Sequence, residues 1–323
     1  MTLRTLFFLG GASLLSGLEA RAHFEICASD AFLIATPRLA RYGADERPWA
    51  AMSVVQSKSR GMNAVRNAAH IVSALTTFVL RHGPFGRVVL GDLTVGMRFA
   101  GLLGRPAEIV VVDDGLGCIT VAAERRLRPA RLLDRLLDPP AVLFFTAFNV
   151  RGRDSDIVVA NDYRHLRRAV LGQRSADGWI VGQPMVSNGM LGERDYESAL
   201  IHASALLDGQ PLYVAHPNES DATAARWAQC VGGRVARFDC PLEIQALRRA
   251  PQSVVGFCSS ALGQLAFLFD GAIPLTSIRI ASHVIKRARP TVDAAYAALH
   301  EVAARKAGLT VVEWVETHVR NRI

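Results

Sequence analysis

Runs of three to five mostly apolar residues recur along the chain, many closed by glycine, aspartate, histidine or serine. They alternate with stretches whose apolar positions fall three or four apart. The first pattern predicts strands buried on both faces and the second predicts amphipathic helices. Their alternation predicts an α/β protein with parallel sheets. Strands are predicted at Thr5–Leu9, Arg87–Leu90, Glu108–Val112, Ala141–Phe145, Trp179–Val181, Leu212–Ala215, Val235–Phe238 and Ser253–Phe257. Helices are predicted at Asn63–His82, Thr94–Leu103, Gly117–Leu137 (interrupted at Pro129), Asp195–Leu207, Asp221–Cys230, Leu242–Arg249, Ser260–Phe269 and Val292–Ala307. Between the two series lies a less regular region, Asn149–Gly178, where a domain boundary is expected.

The amino terminus admits two readings. Met1–Ala22 carries an early arginine, an apolar stretch through Leu15 and an Ala20-Arg21-Ala22 end that mimics a signal-peptidase site. Gly10-Gly11 breaks the apolar run and Glu19 sits beside the supposed cleavage point. The preferred reading is a buried strand, a glycine turn and a helix from about Ser13 to Phe24, with Leu14, Leu15 and Leu18 on one face. No uninterrupted apolar stretch reaches the ~18 residues of a membrane span.

With 323 residues the chain has length for two domains. The expected division is 1–165, 166–290 and C-terminal helices at 291–323 that pack back on the first domain. Half of the residues are hydrophobic and a fifth are charged, which excludes a disordered composition. The net charge of +8 is almost wholly arginine, because lysine occurs only at Lys58, Lys286 and Lys306. A basic surface favours phosphates, acidic glycans or an anionic membrane face. No basic-aromatic interleaving or recognised binding motif accompanies it, so nucleic acid is not the expected partner. Cys27, Cys118, Cys230, Cys240 and Cys258 are odd in number and scattered. Buried structural thiols in a reducing cytoplasm are expected, rather than disulfides or a zinc site.

Four strand ends carry chemistry. Val110-Val111-Val112-Asp113-Asp114-Gly115 reads as a buried strand closed by two carboxylates and a glycine turn. One aspartate can face a cleft as a general base while the other caps the next helix; an ordinary strand-to-helix turn is the plain alternative. Tyr213-Val214-Ala215-His216-Pro217 puts a histidine at a strand end, where proline constrains the exit and imidazole can act on a departing phosphate. Gly256-Phe257-Cys258-Ser259-Ser260 reads as strand, hydroxyl-bearing turn and helix amino terminus. That arrangement suits an anion, or is a simple serine cap. Glu243, opening a helix after Cys240-Pro241, can accept hydrogen bonds from ribose or stand exposed in a first turn. Asp154-Ser155-Asp156 has the spacing of a metal-binding pair but lies in the least regular segment. A solvated turn is preferred, so no metal and no cofactor are expected.

These elements, in this order, resemble bacterial sialyltransferases of the lipooligosaccharide sialyltransferase family (glycosyltransferase family 52), with bacterial polysialyltransferases as relatives. Leu6-Phe7-Phe8-Leu9-Gly10 with Leu14-Leu15-Ser16-Gly17-Leu18-Glu19-Ala20 is similar to the family's opening strand and helix. Val112-Asp113-Asp114-Gly115 resembles its acidic motif, and Phe144-Phe145-Thr146-Ala147-Phe148-Asn149 the strand that follows. Val181-Gly182-Gln183-Pro184, His216-Pro217, Pro241-Leu242-Glu243 and Ser259-Ser260-Ala261-Leu262 resemble elements of its second domain. The resemblance runs from about Leu6 to Leu275.

It implies a GT-B type α/β fold, two Rossmann-like domains facing a central cleft, and an inverting, metal-independent transfer. CMP-sialic acid or a related CMP-nonulosonate would be held mainly by the second domain. Asp113, ahead of Asp114, would supply the base and His216 would act on the leaving CMP. Pro217, Glu243, Ser259 and Ser260 would line the donor site, with Glu243 on ribose and the serines on phosphate. Gly10, Gly11 and Gly115 fall at acceptor or turn positions. Gly10-Gly11-Ala12 lacks the bulkier polar residues relatives carry there, and the segment Arg151–Arg168 departs from their pattern.

The implied acceptor is a glycan of lipooligosaccharide, capsule or glycoconjugate, reached from the cytoplasm or the inner membrane face. Arg125, Arg126, Arg128, Arg131 and Arg135, set among leucines in Ala122–Leu137, offer contact with anionic lipid or form a solvated helix face. Two alternatives stand beside this reading: a hexosyltransferase using a UDP-sugar, and a non-catalytic nucleotide- or glycan-binding descendant. The chain has no Gly-x-Ser-x-Gly elbow, which argues against a serine hydrolase.

Overall fold

The computed structural model describes residues 3–35, 39, 49–55, 73, 75–91, 106–115, 117–127, 139–168 and 173–314. The chain divides into two compact units: Met1–Leu166 with Asp239–Pro241, and Arg167–Phe238 with Leu242–Ile323.

Among the described residues, the first unit is built on a seven-stranded parallel sheet. Its strands are β1 (Thr5–Leu9), β2 (Ala31–Ala35), β3 (Ala51–Val54), β4 (Arg87–Leu90), β5 (Glu108–Val112), β6 (Leu143–Thr146) and β7 (Ile157–Ala160). Their spatial order is β3-β2-β1-β4-β5-β6-β7. Central strands are buried on both faces and therefore read as unbroken apolar runs: every residue of β1 (TLFFL) and β2 (AFLIA) is buried. The edge strands β3 and β7 are half-exposed, so the apolar signal thins towards the rims. Helix α1 (Leu14–His23) packs on β1 and β5; α2 (Gly117–Leu127) joins β5 to β6, and the single turn α3 (Arg164–Arg167) ends the unit.

The second unit has β9 (Asp177–Val181), β10 (Gln210–Val214), β11 (Arg234–Ala236), β13 (Ser253–Gly256), β14 (Leu275–Arg279) and β15 (Leu309–Glu313). They form a parallel sheet in the order β11-β10-β9-β13-β14-β15, and β8 (Gln173–Arg174) pairs separately with β12 (Arg249–Ala250). Helices α4 (Glu193–Ala205) and α5 (Asp221–Cys230) serve the β9–β11 half. Helices α7 (Ser260–Phe269) and α8 (Arg289–Arg305) serve the β13–β15 half, and the short α6 (Leu242–Arg248) precedes β12. Both sheets reverse strand order once, between β1 and β4 and between β9 and β13.

All eight predicted strands exist, within two residues of their predicted ends. Strands β2, β3, β7, β8, β12, β14 and β15 were not predicted. The alanine ends of β2 favour helix, and β14 (LTSIR) and β15 (LTVVE) interleave polar residues. Where helices were expected from 291, the described residues hold α8, which packs on α7, followed by β15, which joins the second unit's sheet. The predicted helix Thr94–Leu103 and the part of Gly117–Leu137 beyond 127 lie outside the described residues, as does most of Asn63–His82, of which 75–82 is helical.

Candidate functional site

A doubly wound sheet binds ligands where its strand order reverses, beyond the carboxyl ends of the two strands that part there. The two reversal points of this chain differ in what fills them.

In the first unit, β1 runs into Gly10-Gly11-Ala12 and then Ser13, which precedes α1 and is fully buried. The Gly10 amide donates to Ser13 Oγ at 2.9 Å. A Cβ at Gly91, beyond β4, would lie 2.1 Å from that same oxygen. Glycine at 91 is thus required for Ser13 to occupy the gap between β1 and β4. Gly10 and Gly11 are turn residues beside this filled point.

Asp113 and Asp114 follow β5, and the structure separates them. Asp113 has 0% of its surface exposed. Its Oδ1 accepts from the Thr146 hydroxyl and, at 3.1 Å, from the Cys118 thiol. Its Oδ2 accepts from the Ala147 amide at 2.9 Å and the Tyr163 hydroxyl at 3.5 Å. Tyr163 OH also lies 2.6 Å from Ser16 Oγ on α1. Asp113 thus ties the ends of β5 and β6 to α1, α2 and the segment before α3. Burial pushes its carboxyl above the usual range, and the hydrogen bonds from Thr146, Ala147, Cys118 and Tyr163 only partly offset this. Asp114 is half-exposed. Gly115 takes φ +62°, the left-handed turn that glycine adopts freely, and the Gly117 amide closes the turn on the Asp114 carbonyl.

Two expectations about nearby charges are corrected. Asp156 is not part of a solvated turn. Its side chain is buried and paired with Arg125, through Arg125 Nη2 to Oδ1 at 2.6 Å and Nε to Oδ2 at 3.1 Å. The amides of Val142 and Arg153 also donate to it, at 3.1 and 2.9 Å. Burial raises the Asp156 pKa, but these partners outweigh it and leave the pKa below the usual value. Arg125, correspondingly, belongs neither to a solvated face nor to a lipid-facing one. Asp154 is exposed, as a turn residue would be.

In the second unit, the reversal point is lined by half-buried polar side chains. Beyond β9 come Gly182 and Gln183; beyond β13 come Phe257, Cys258 and then Ser259 and Ser260 at the start of α7. Gln183, Cys258, Ser259 and Ser260 are all half-buried. Ser259 is the residue before the helix, extended at φ −87°, ψ 126°, yet its hydroxyl makes no capping hydrogen bond. The first amides of a helix have no partner within it, and the dipole there favours an anion. Cys258 Sγ lies 3.8 Å from Gln183 Oε1 across the point, and burial pushes the thiol up to about 11.

His216 follows β10 and is half-buried. Its carbonyl accepts from the Glu219 amide at 2.9 Å, so His216-Pro217-Asn218-Glu219 is a β-turn with proline at its second position. Pro217 and Asn218 are exposed. Ser220 then caps α5, accepting from the Thr223 amide at 3.1 Å. Glu243, in the first turn of α6, is 9% exposed, which corrects the alternative of an exposed glutamate. Burial raises its carboxyl pKa, opposed only by its own amide. Of the thiols, Cys118 and Cys240 are buried as expected, whereas Cys27 is exposed and Cys230 and Cys258 are half-buried.

Sequence reasoning did not single out Gln183, Tyr196, Tyr213 or Glu219 as functional residues, although Gln183 and Tyr213 lie within quoted motifs. Gln183 had a usable signal, since it follows an apolar run at the first strand of the second series. The two tyrosines had none, because a buried phenol looks like any aromatic core residue.

No protein-family model matches the chain, and no curated protein matches its sequence. Solved structures do. A putative UDP-N-acetylglucosamine 2-epimerase from Listeria monocytogenes aligns over 95% of this chain and 92% of its own, at 12% identity and TM-score 0.56. The UDP-GlcNAc 2-epimerase of Methanocaldococcus jannaschii, solved with UDP-GlcNAc and UDP, aligns over 96% and 88% at 11% identity and TM-score 0.52. MurG of Acinetobacter baumannii aligns over 96% and 86% at 12% identity, with TM-score 0.46. At these identities the likeness is one of fold. The chain has two parallel-sheet, Rossmann-like α/β domains of the GT-B type.

Proposed function

We propose that the protein is a glycosyltransferase whose second unit holds a nucleotide-sugar donor and whose first unit supplies the base for an acceptor hydroxyl. The observation that carries this is the difference between the two reversal points. Buried Ser13 fills the first, whereas the second presents half-buried Ser259 and Ser260 at a helix start, as a donor phosphate requires. His216 and Glu243 belong to the same second unit, which suits roles on the leaving group and on ribose.

Within the acidic pair, Asp114 takes the part of base. A base must reach the proton it removes, and Asp113 is fully buried with both oxygens accepting hydrogen bonds. Asp113 positions the turn that carries Asp114. In an inverting transfer the acceptor hydroxyl attacks the anomeric carbon and its proton passes to Asp114. The bond to phosphate breaks, and its electron pair leaves with the nucleotide.

For the donor we propose a CMP-nonulosonate, sialic acid or a relative, passed without metal or cofactor to a surface-glycan precursor. The motif resemblance around Asp113-Asp114-Gly115, His216-Pro217 and Ser259-Ser260 supports this choice. A UDP-sugar is the second reading, favoured by the nucleotide in the Methanocaldococcus structure. Thermal shift with CMP, UMP, UDP and GDP, followed by turnover with CMP-sialic acid and UDP-hexoses, decides between them. Stabilisation by CMP alone is expected. Turnover of UDP-sugars only would overturn the CMP assignment, and an Asp114→Ala variant with wild-type turnover would overturn the proposed base.

A further inference from the structure

Beyond β9 and β10 the second unit buries a chain of polar groups to which the proposed reaction gives no role. Glu219 is 7% exposed. Its Oε1 accepts from Tyr213 OH at 2.8 Å and its Oε2 from the His216 amide at 2.6 Å. Tyr213 OH lies 3.4 Å from Tyr196 OH, which accepts from the Gln183 amide at 3.0 Å. Gly182 leaves room for this chain, since a Cβ there would lie 2.6 Å from Tyr213 OH and 2.9 Å from Glu219 Oε2. Arg237 Nη2 donates to the Glu219 carbonyl at 2.7 Å, fixing the far side of the turn. Inside the turn, the Asn218 amide donates to His216 Nδ1 at 3.1 Å. A backbone amide can only donate, so Nδ1 carries the lone pair and the proton of the neutral ring sits on Nε2.

We propose that Glu219 is the positioning residue of His216: by holding the His216 amide it locks the turn that keeps the imidazole in its Nε2–H form. The neutral ring then donates a hydrogen bond to the departing phosphate and transfers no proton. The proton released in the reaction is the acceptor's, taken by Asp114, and the bonding pair leaves with the nucleotide. This inference rests on the proposed role of His216. The His216 amide can only donate, whereas the Tyr213 hydroxyl can turn to accept, so glutamine at 219 keeps both contacts and methionine removes the acceptor that the His216 amide needs.

The experiment uses the full chain with ¹⁵N-labelled histidine, recording the His216 ring nitrogens in the wild type, Glu219→Met, Glu219→Gln and Tyr213→Phe. The wild type is expected to show unprotonated Nδ1 and protonated Nε2. Glu219→Met is expected to show averaged tautomers, Glu219→Gln to keep the wild-type tautomer, and Tyr213→Phe, which removes one donor and little volume, a partial change. With the donor, kcat of Glu219→Met should fall about tenfold or more while KM stays within about twofold, since only the leaving-group step is affected. A wild-type ring protonated on Nδ1, or a Glu219→Met protein with wild-type tautomer and kcat, would overturn the proposal. The tautomer measurement needs no turnover. A wild type inactive on every nucleotide sugar would therefore sink the enzymatic reading while the role of Glu219 was still decided.

Discussion

Replacing each aspartate of the acidic pair by asparagine should give opposite results. Asp113→Asn keeps shape but turns one acceptor into a donor. The Ala147 amide must donate to one oxygen, and Thr146 Oγ1, which already accepts from the Phe148 amide at 3.0 Å, donates to the other. The Ala147 amide fixes the asparagine oxygen at the Oδ2 position, so the NH₂ group takes the Oδ1 position and the Thr146 hydroxyl and Cys118 thiol lose the acceptor they donate to inside a fully buried site. Leaving such a group unsatisfied costs about 1–3 kcal/mol. For a unit of this size that corresponds to a melting-temperature loss of roughly 2–12 °C.

Asp114→Asn should lower the melt less than Asp113→Asn does, because Asp114 is half-exposed, and lower kcat by about 10²–10⁴-fold, as removal of a general base does. Asp113→Asn should lose far less kcat per folded molecule. The pH dependence adds an independent check. The folded pKa of Asp113 is raised, so its contribution to stability is complete below the unfolded value of about 3.9 and is lost as pH rises through the folded value. The stability gap between wild type and Asp113→Asn should therefore widen on acidification. The assay is a melt series from acid to neutral pH alongside steady-state kinetics at neutral pH. An Asp113→Asn protein with a wild-type melt and no activity, beside a fully active Asp114→Asn, would refute the reasoning.

Three further outcomes are expected. Arg125→Met should destabilise the protein by about 3–5 kcal/mol by urea titration, because Asp156 stays buried without its ion pair; a wild-type midpoint would show that the pair contributes nothing. The folded pKa of Asp156 is lowered, so the stability it contributes is present above the unfolded value of about 3.9 and is lost as pH falls through the folded value. Ser259→Ala with Ser260→Ala should weaken CMP binding by calorimetry about tenfold while leaving cytidine binding unchanged, each hydroxyl being worth about 0.5–1.5 kcal/mol; equal loss for cytidine would move the phosphate elsewhere. Gly182→Ala should cost about 1–3 kcal/mol, because its methyl would press on Tyr213 OH and Glu219; an unshifted melt would show that the loop yields.

The central strands were legible because burial on both faces leaves an unbroken apolar run, and β1, β5, β9 and β13 carry that mark at the middle of their sheets. Strands β3 and β7 sit at edges where half of each residue meets water, and their pattern thins accordingly. The chemistry-bearing strand ends were legible for a related reason. An apolar run that stops at Asp113, His216 or Ser259 marks where a buried strand emerges.

Which groups remain reachable was not legible. Adjacent letters Asp113 and Asp114 differ in exposure, and only the packing of Thr146, Cys118 and Tyr163 decides that the first is enclosed. Asp156 looked solvated because its partner Arg125 lies 31 residues away, a separation that no local pattern reports. The sequence by itself determined the alternation of elements, the two parallel sheets and the residue types at their strand ends, because these depend on local periodicity and burial. Tertiary structure alone decided that Ser13 fills one reversal point while Ser259 and Ser260 line the other. It also decided that Glu219 holds His216, because a buried hydrogen bond depends on which distant side chains arrive at the same place.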